Sequence, residues 1–259
     1  MANEASPEEL AQIALEVARE AGALVRAGFR TRLKVVEKGP TDLVTQYDFE
    51  SERLIRARLA ERAPGLGLVA EEGGGERAPG LTWYVDPLDG TMNFAHGHPF
   101  WSVSIGVLEQ GVPVAGAVIA PCLDIEWSGF RGGPARRNGD ACRVSATERL
   151  DAALLATGFP AERHQEPDSN LGTFVRVKRL VRGIRRCGSA AIDLCFVADG
   201  TYDGYWERHL NAWDLAAGAA VVLSAGGRIT ALDGGTPRLE HGHIAATNGL
   251  IHESLLAAV

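Results

Sequence analysis

The segment Asp86-Pro87-Leu88-Asp89-Gly90-Thr91 constrains this chain more than any other. It follows directly on a short apolar run, Thr82–Val85, and a second such run, Gly67–Ala70, ends in Glu71-Glu72. Both runs suit buried strands. If the two strands are neighbours, their C-terminal ends bring Glu71, Asp86 and Asp89 together, at the kind of position where folds gather functional groups. A fourth acidic residue, Asp214, opens an apolar helix immediately after Trp213. Carboxylates that close repel unless a cation lies between them, and Mg²⁺ accepts oxygen ligands of this kind. Gly90 lets backbone approach closely, and the amides near Gly90-Thr91 are suited to hold phosphate oxygens.

Charge points the same way. The formal net charge is −7, which argues against nucleic acid as a general partner, since phosphate backbones call for stripes of Lys and Arg. An acidic protein that handles a phosphate dianion needs something positive in its site, and metal ions held by the carboxylates meet that need. The four cysteines form no CxxC and no zinc spacing with His, so they read as small hydrophobes in a reducing compartment. The N-terminus lacks the basic and apolar regions of a signal peptide, and no apolar run approaches a membrane span. A soluble, cytoplasmic protein without a membrane partner is the expectation.

Along the chain, Ser6-Pro7-Glu8-Glu9 predicts a helix start, with Gly28 as its stop. Lys38–Asp42 reads as a loop, followed by a helix from Gln46 to about Ala60 that Pro64-Gly65 closes. Val103–Leu108, Val112–Ala120 and Asp124–Phe130 predict an antiparallel meander. Leu154–Thr157 restarts a strand pattern, and Ser189–Val197 and Trp213–Ser224 predict helices. The division expected is an α+β unit over 1–145 and an α/β unit over 146–259.

Three segments resemble the signatures of the inositol monophosphatase family: Val69–Glu72, Trp83–Phe94 and Ala212–Gly218. Asp42–Thr45, Gly188–Ala191 and Tyr205–Glu207 are lesser matches in the same order. The resemblance implies a layered α/β/α/β/α sandwich, an α/β (α+β) fold of the inositol monophosphatase/fructose-1,6-bisphosphatase type. It implies Mg²⁺-dependent hydrolysis of a small phosphate monoester, most of all myo-inositol monophosphate, by metal-activated water. Glu71, Asp86, the Leu88 carbonyl, Asp89 and Asp214 would be the metal ligands, and Glu71 and Thr91 would orient the attacking water, with Asp89 also catalytic. Gly90 and Thr91 would bind phosphate, while Asp89, Ala190, Glu207 and Asp214 would meet the substrate. Lys38, Asp42 and Asp48 would lie near an outer metal and its loop. Li⁺ sensitivity and a homodimer also follow from the resemblance.

Other readings fit less well. In aspartyl-nucleophile phosphatases the two Asp lie at i and i+2, whereas Asp86 and Asp89 are at i and i+3. Gly65–Ala70 matches a loose dinucleotide fingerprint but runs into acidic residues instead of a helix. His96 and His98 read as turn or surface residues, and Arg185-Arg186 as a solvated pair or a substrate-binding Arg. Relatives acting on fructose 1,6-bisphosphate, histidinol phosphate or 3′-phosphoadenosine nucleotides are the rival phosphatases. A non-catalytic binding protein on the same fold is the rival from another class.

Overall fold

The computed structural model describes residues 5–39, 42–159 and 169–259. The chain begins with α1 (Pro7–Gly28), whose N-cap Ser6 and Glu9 form a reciprocal capping box. Next come β1 (Val35–Gly39), β2 (Asp42–Thr45) and α2 (Gln46–Arg62). The strands β3 (Gly67–Ala70), β4 (Gly74–Glu76) and β5 (Leu81–Asp89) lead to the short α3 (Thr91–Ala95). A meander follows: β6 (Ser102–Glu109), β7 (Val112–Ala120), β8 (Ile125–Phe130), β9 (Ala135–Arg137) and β10 (Asp140–Cys142). The remainder is β11 (Leu154–Thr157), α4 (Leu171–Lys178), β12 (Gly183–Arg185), α5 (Ala190–Ala198), β13 (Gly204–Glu207), α6 (Ala212–Ser224), β14 (Arg228–Ala231), β15 (Ile244–Thr247) and α7 (His252–Leu256).

Among the described residues the strands form an eight-stranded sheet, β10-β9-β8-β7-β6-β5-β3-β4, and a five-stranded one, β12-β11-β13-β15-β14. All strands of the larger sheet come from residues 67–142, and all strands of the smaller from 154–247. Helices α1 and α2 cover the outer face of the larger sheet, burying Leu10, Val17, Val25 and Ile55 against Val103, Ile105 and Ala117. Helices α5 and α6 fill the space between the sheets: Leu194, Leu215 and Val221 pack with Val118 and Trp127 on one side and Tyr205 and Ile244 on the other. Val177 of α4 and Leu255 of α7 close the far face over Leu155, Trp206 and Ala245. The result is five layers, α/β/α/β/α, as the sequence implied. Helices α5 and α6 are apolar nearly all round because they are buried on both sides.

Two local expectations need correction. Lys38 and Gly39 end β1 and Asp42 opens β2, which are antiparallel with Glu37 opposite Leu43. The Gly-Pro pair dominated the reading, but Val35-Val36 and Leu43-Val44-Thr45 on either side are strong strand formers. The strand expected over Thr82–Val85 runs on to Asp89, with an irregular register between Asp86 and Asp89. Pro87 has no N–H for the ladder, so the strand bulges there rather than ending.

Candidate active site

Strand pairing builds the acidic wall. Strands β3 and β5 run parallel with Ala70 opposite Val85, so Glu71 and Asp86, the next residue of each, come side by side. The Glu71 N–H donates to the Val85 carbonyl at 3.2 Å, which fixes the exit. The bulge at Pro87 then swings the chain so that the Leu88 N–H turns back onto Asp86 Oδ1 at 3.0 Å. Asp214 arrives from the other half of the chain, in the first turn of α6, where it accepts from the Asn211 N–H at 2.7 Å. Trp213 beside it packs on the inter-sheet core. Glu71, Asp86, Leu88, Asp89 and Asp214 all line one cleft of about 460 Å³.

The electrostatics are those of crowded acids. Burial pushes the Asp86 carboxyl well above the usual carboxylate range; the charges of Glu71, Asp89 and Asp214 add to the rise, as does a hydrogen bond with Glu71. Burial and then the Glu71 charge do the same to Asp214, against the pull of the Asn211 N–H. Burial also raises Asp89, but donors oppose it: Oδ2 accepts from Ser189 Oγ at 2.5 Å, the Ala191 N–H at 2.9 Å and Ser102 Oγ at 3.3 Å. Each aspartate thus has one oxygen anchored by the protein. Among the described residues no three acidic, His or Cys side chains converge on a ready-made coordination point. The wall does, however, present carboxylates and a carbonyl and neither His nor Cys. That donor set fits a hard divalent cation and does not fit zinc or copper.

The start of α3 follows directly on Asp89 and lines the same cleft. Gly90 has φ +89° and caps this helix; a Cβ there would come within 3.1 Å of the carbonyls of Gly188 and Phe100, so only glycine makes the turn without strain. The first-turn amides of a helix have no carbonyl of their own helix to bond. The Thr91 hydroxyl lies 2.9 Å from both Asp48 Oδ1 and the Leu88 carbonyl oxygen. Its single hydrogen goes to one of these acceptors, which leaves the oxygen to accept from whatever enters the cleft.

Asp48, expected near an outer metal, lies next to the cleft, 2.9 Å from the hydroxyl of the cleft-lining Thr91. It is fully buried, caps α2 through Thr45, and is not among the cleft-lining residues. The reason is its position three residues into a capping box, which commits one oxygen to Thr45 and the other to Thr91. The side chains of Lys38 and Asp42 lie outside the described residues. Ala190 and Glu207 do line the cleft. Burial pushes Glu207 up to about 7, opposed by a hydrogen bond from the Tyr205 hydroxyl and by the Arg186 charge. His96 and His98 are exposed and outside the lining, and Arg186 rather than Arg185 reaches it.

Two positioning residues escape sequence reasoning. Glu52 of α2 accepts from the N–H groups of Glu72 and Gly73, at 2.8 and 2.9 Å, and so clamps the turn that carries Glu71. Arg56, one turn later, holds Glu52 in place at 2.7 Å. Only the i, i+4 Glu–Arg spacing marked this pair, and such spacing is ordinary on exposed helices. Asn93 donates to the carbonyls of Phe100, at 2.6 Å, and Cys187, at 2.8 Å, tying α3 to the approach of α5.

Comparison with known proteins gives one answer. Residues 6–259 match the inositol monophosphatase family. An inositol-1-monophosphatase of Synechocystis is 41% identical over 96% of this chain and 88% of its own length. The Nus factor SuhB of Pseudomonas aeruginosa is also 41% identical, over 95% of this chain and 94% of its own length. The solved structure of an inositol monophosphatase from Anabaena superposes with a TM-score of 0.88 at 39% identity, covering 95% of this chain and 93% of that one. The chain belongs to the inositol monophosphatase family and by that membership is a phosphoric monoester hydrolase.

Proposed function

From that membership we propose that the chain hydrolyses a small phosphorylated polyol or sugar, foremost a myo-inositol monophosphate, with Mg²⁺ held by Glu71, Asp86, the Leu88 carbonyl, Asp89 and Asp214. The observation that carries the reading is the all-oxygen acidic wall and the Gly90–Thr91 turn lining one cleft. Bound there, the cation supplies positive charge against the phosphate oxygens and acidifies water in its field. The amides of Gly90 and Thr91 bind the phosphate. Thr91 Oγ1 has given its hydrogen to Asp48 or the Leu88 carbonyl, so it accepts a hydrogen bond from the attacking water and orients it. Glu71, as general base, takes the one proton that this water loses. Ala190 and Glu207 contact the alcohol part of the ester, whose chemistry decides between inositol and the rival sugar and nucleotide phosphates. Li⁺ inhibition, a homodimer and a cytoplasmic location belong to the same proposal; they are supported by the family resemblance, and no helix among the described residues is long and apolar enough to cross a membrane.

A second reading, a binding protein on the same fold, is favoured by one observation, the Nus factor name of the Pseudomonas relative. The complete acidic wall favours hydrolysis. Phosphate release from myo-inositol 1-phosphate, fructose 1,6-bisphosphate, histidinol phosphate and 3′-phosphoadenosine 5′-phosphate, with and without Mg²⁺, separates the two. Mg²⁺-dependent release led by the inositol ester is expected. A folded protein that releases phosphate from none of them, at any Mg²⁺ concentration, would leave the binding reading standing.

A further inference from the structure

The cleft has a second acidic feature, remote in sequence from the first. Asp193 lies in the first turn of α5 and lines the cleft together with Glu207. It is 1% exposed, and among the described residues its Oδ1 has no hydrogen-bond donor. A buried carboxylate without donors is costly to the fold, and nothing in the packing of α5 calls for one. Its neighbour Glu207 is in a related position: Oε2 accepts from the Tyr205 hydroxyl, and among the described residues Oε1 has no such partner. Gly158, also in the lining, keeps the space over Glu207 open, since a Cβ there would fall 1.9 Å from Oε1.

The chemistry of this pair selects its ligand. Two carboxylates repel a second phosphate group, and the Arg186 charge already acts on both of them, which leaves little call for a further cation. Each carboxylate has one oxygen without a donor among the described residues, Asp193 Oδ1 and Glu207 Oε1, and the groups that donate without bringing charge include hydroxyls. We infer that Asp193 is a specificity-determining residue, accepting with Glu207 the hydroxyls of the substrate's alcohol moiety and so favouring polyol esters over esters of hydroxyl-poor alcohols. The inference rests on the hydrolase reading of the cleft. It differs from that reading in giving a role to a residue outside the segments on which the family resemblance was read and outside the metal-binding wall.

The test compares wild type with Asp193→Asn, neutral and of the same shape, on myo-inositol 1-phosphate and on phenyl phosphate in excess Mg²⁺. The ratio of the two kcat/KM values falls by at least about tenfold in the variant, mainly through KM for the inositol ester. The Tm of the variant without ligand equals or exceeds that of wild type, because an unpartnered buried carboxylate has been removed. A constant ratio, whether both activities drop or neither does, overturns the inference, and so does a lowered Tm, which would mark Asp193 as structural. Asp193→Ser, which keeps a smaller acceptor, recovers part of the ratio if Asp193 reads hydroxyls and none if it does not. A wild-type protein that cleaves neither ester would overturn the hydrolase reading itself, and this inference with it.

Discussion

Two groups of buried carboxylates lie within one molecule and are treated in opposite ways. Asp48 and Glu52, on α2, are saturated: Asp48 accepts from the Thr45 N–H and hydroxyl and from Thr91, and Glu52 accepts from two turn amides and Arg56. On the cleft wall, Asp86 is crowded by three other acids, and Asp193 Oδ1 has no partner among the described residues. A saturated buried acid orders its neighbours and supports the fold. A starved one destabilises the fold until a ligand arrives, and folds tolerate that at functional sites. The two groups should therefore respond to mutation in opposite ways.

The largest effect is expected at Asp89. Its Oδ2 is bound by Ser102, Ser189 and Ala191, so Asp89→Asn keeps the shape and removes the charge. In steady-state phosphate release kcat should fall by at least ~10³, roughly 4 kcal/mol of transition-state stabilisation. Near-normal turnover would remove Asp89 from the site. Next is Glu52→Ala, which strips an acceptor from two amides and Arg56. Urea unfolding should show a loss of about 3 kcal/mol, and a variant as stable as wild type would break the contrast between the two groups. The smallest effect concerns a saturated group far from the cleft. His252 is held between Thr230 at Nε2, 2.9 Å, and Thr247 at Nδ1, 2.8 Å. Thr230 donates to the Ala231 carbonyl and Thr247 accepts from the Gly249 N–H. These bonds fit the neutral imidazole protonated at Nε2. Burial pulls its pKa down to about 4, below the ordinary value in the unfolded chain. The unfolded state then binds more protons over this window, so stability falls as pH drops from about 6.5 to about 4, by ~2 kcal/mol. His252→Gln should flatten that part of a Tm-against-pH curve; an unchanged slope would show that other groups cause it.

Much of this was legible in the chain because local pattern and tertiary demand agreed. Gly67–Ala70, Val112–Ala120 and Leu154–Thr157 are strands over the expected spans, and α1 and α6 begin and end within a residue of their signals. Glu71 and Asp86 could be brought together on paper, since parallel neighbours carry their next residues out together. The illegible part depends on partners distant in sequence. Glu52 looks like any helix-surface Glu until the turn at Glu72-Gly73 folds onto it. Asp193 looks like a first-turn helix acid until α5 is buried between two sheets.

The central claim is that the crowded cleft acids hold a cation, and thermal unfolding with and without Mg²⁺ tests it most directly. Wild type should gain stability with Mg²⁺, by about 2.7 kcal/mol at a hundredfold excess over Kd. Asp86→Asn should melt higher than wild type in the absence of Mg²⁺ and gain little when it is added. A wild-type Tm that does not respond to Mg²⁺, or that rises equally in both proteins, would contradict the account.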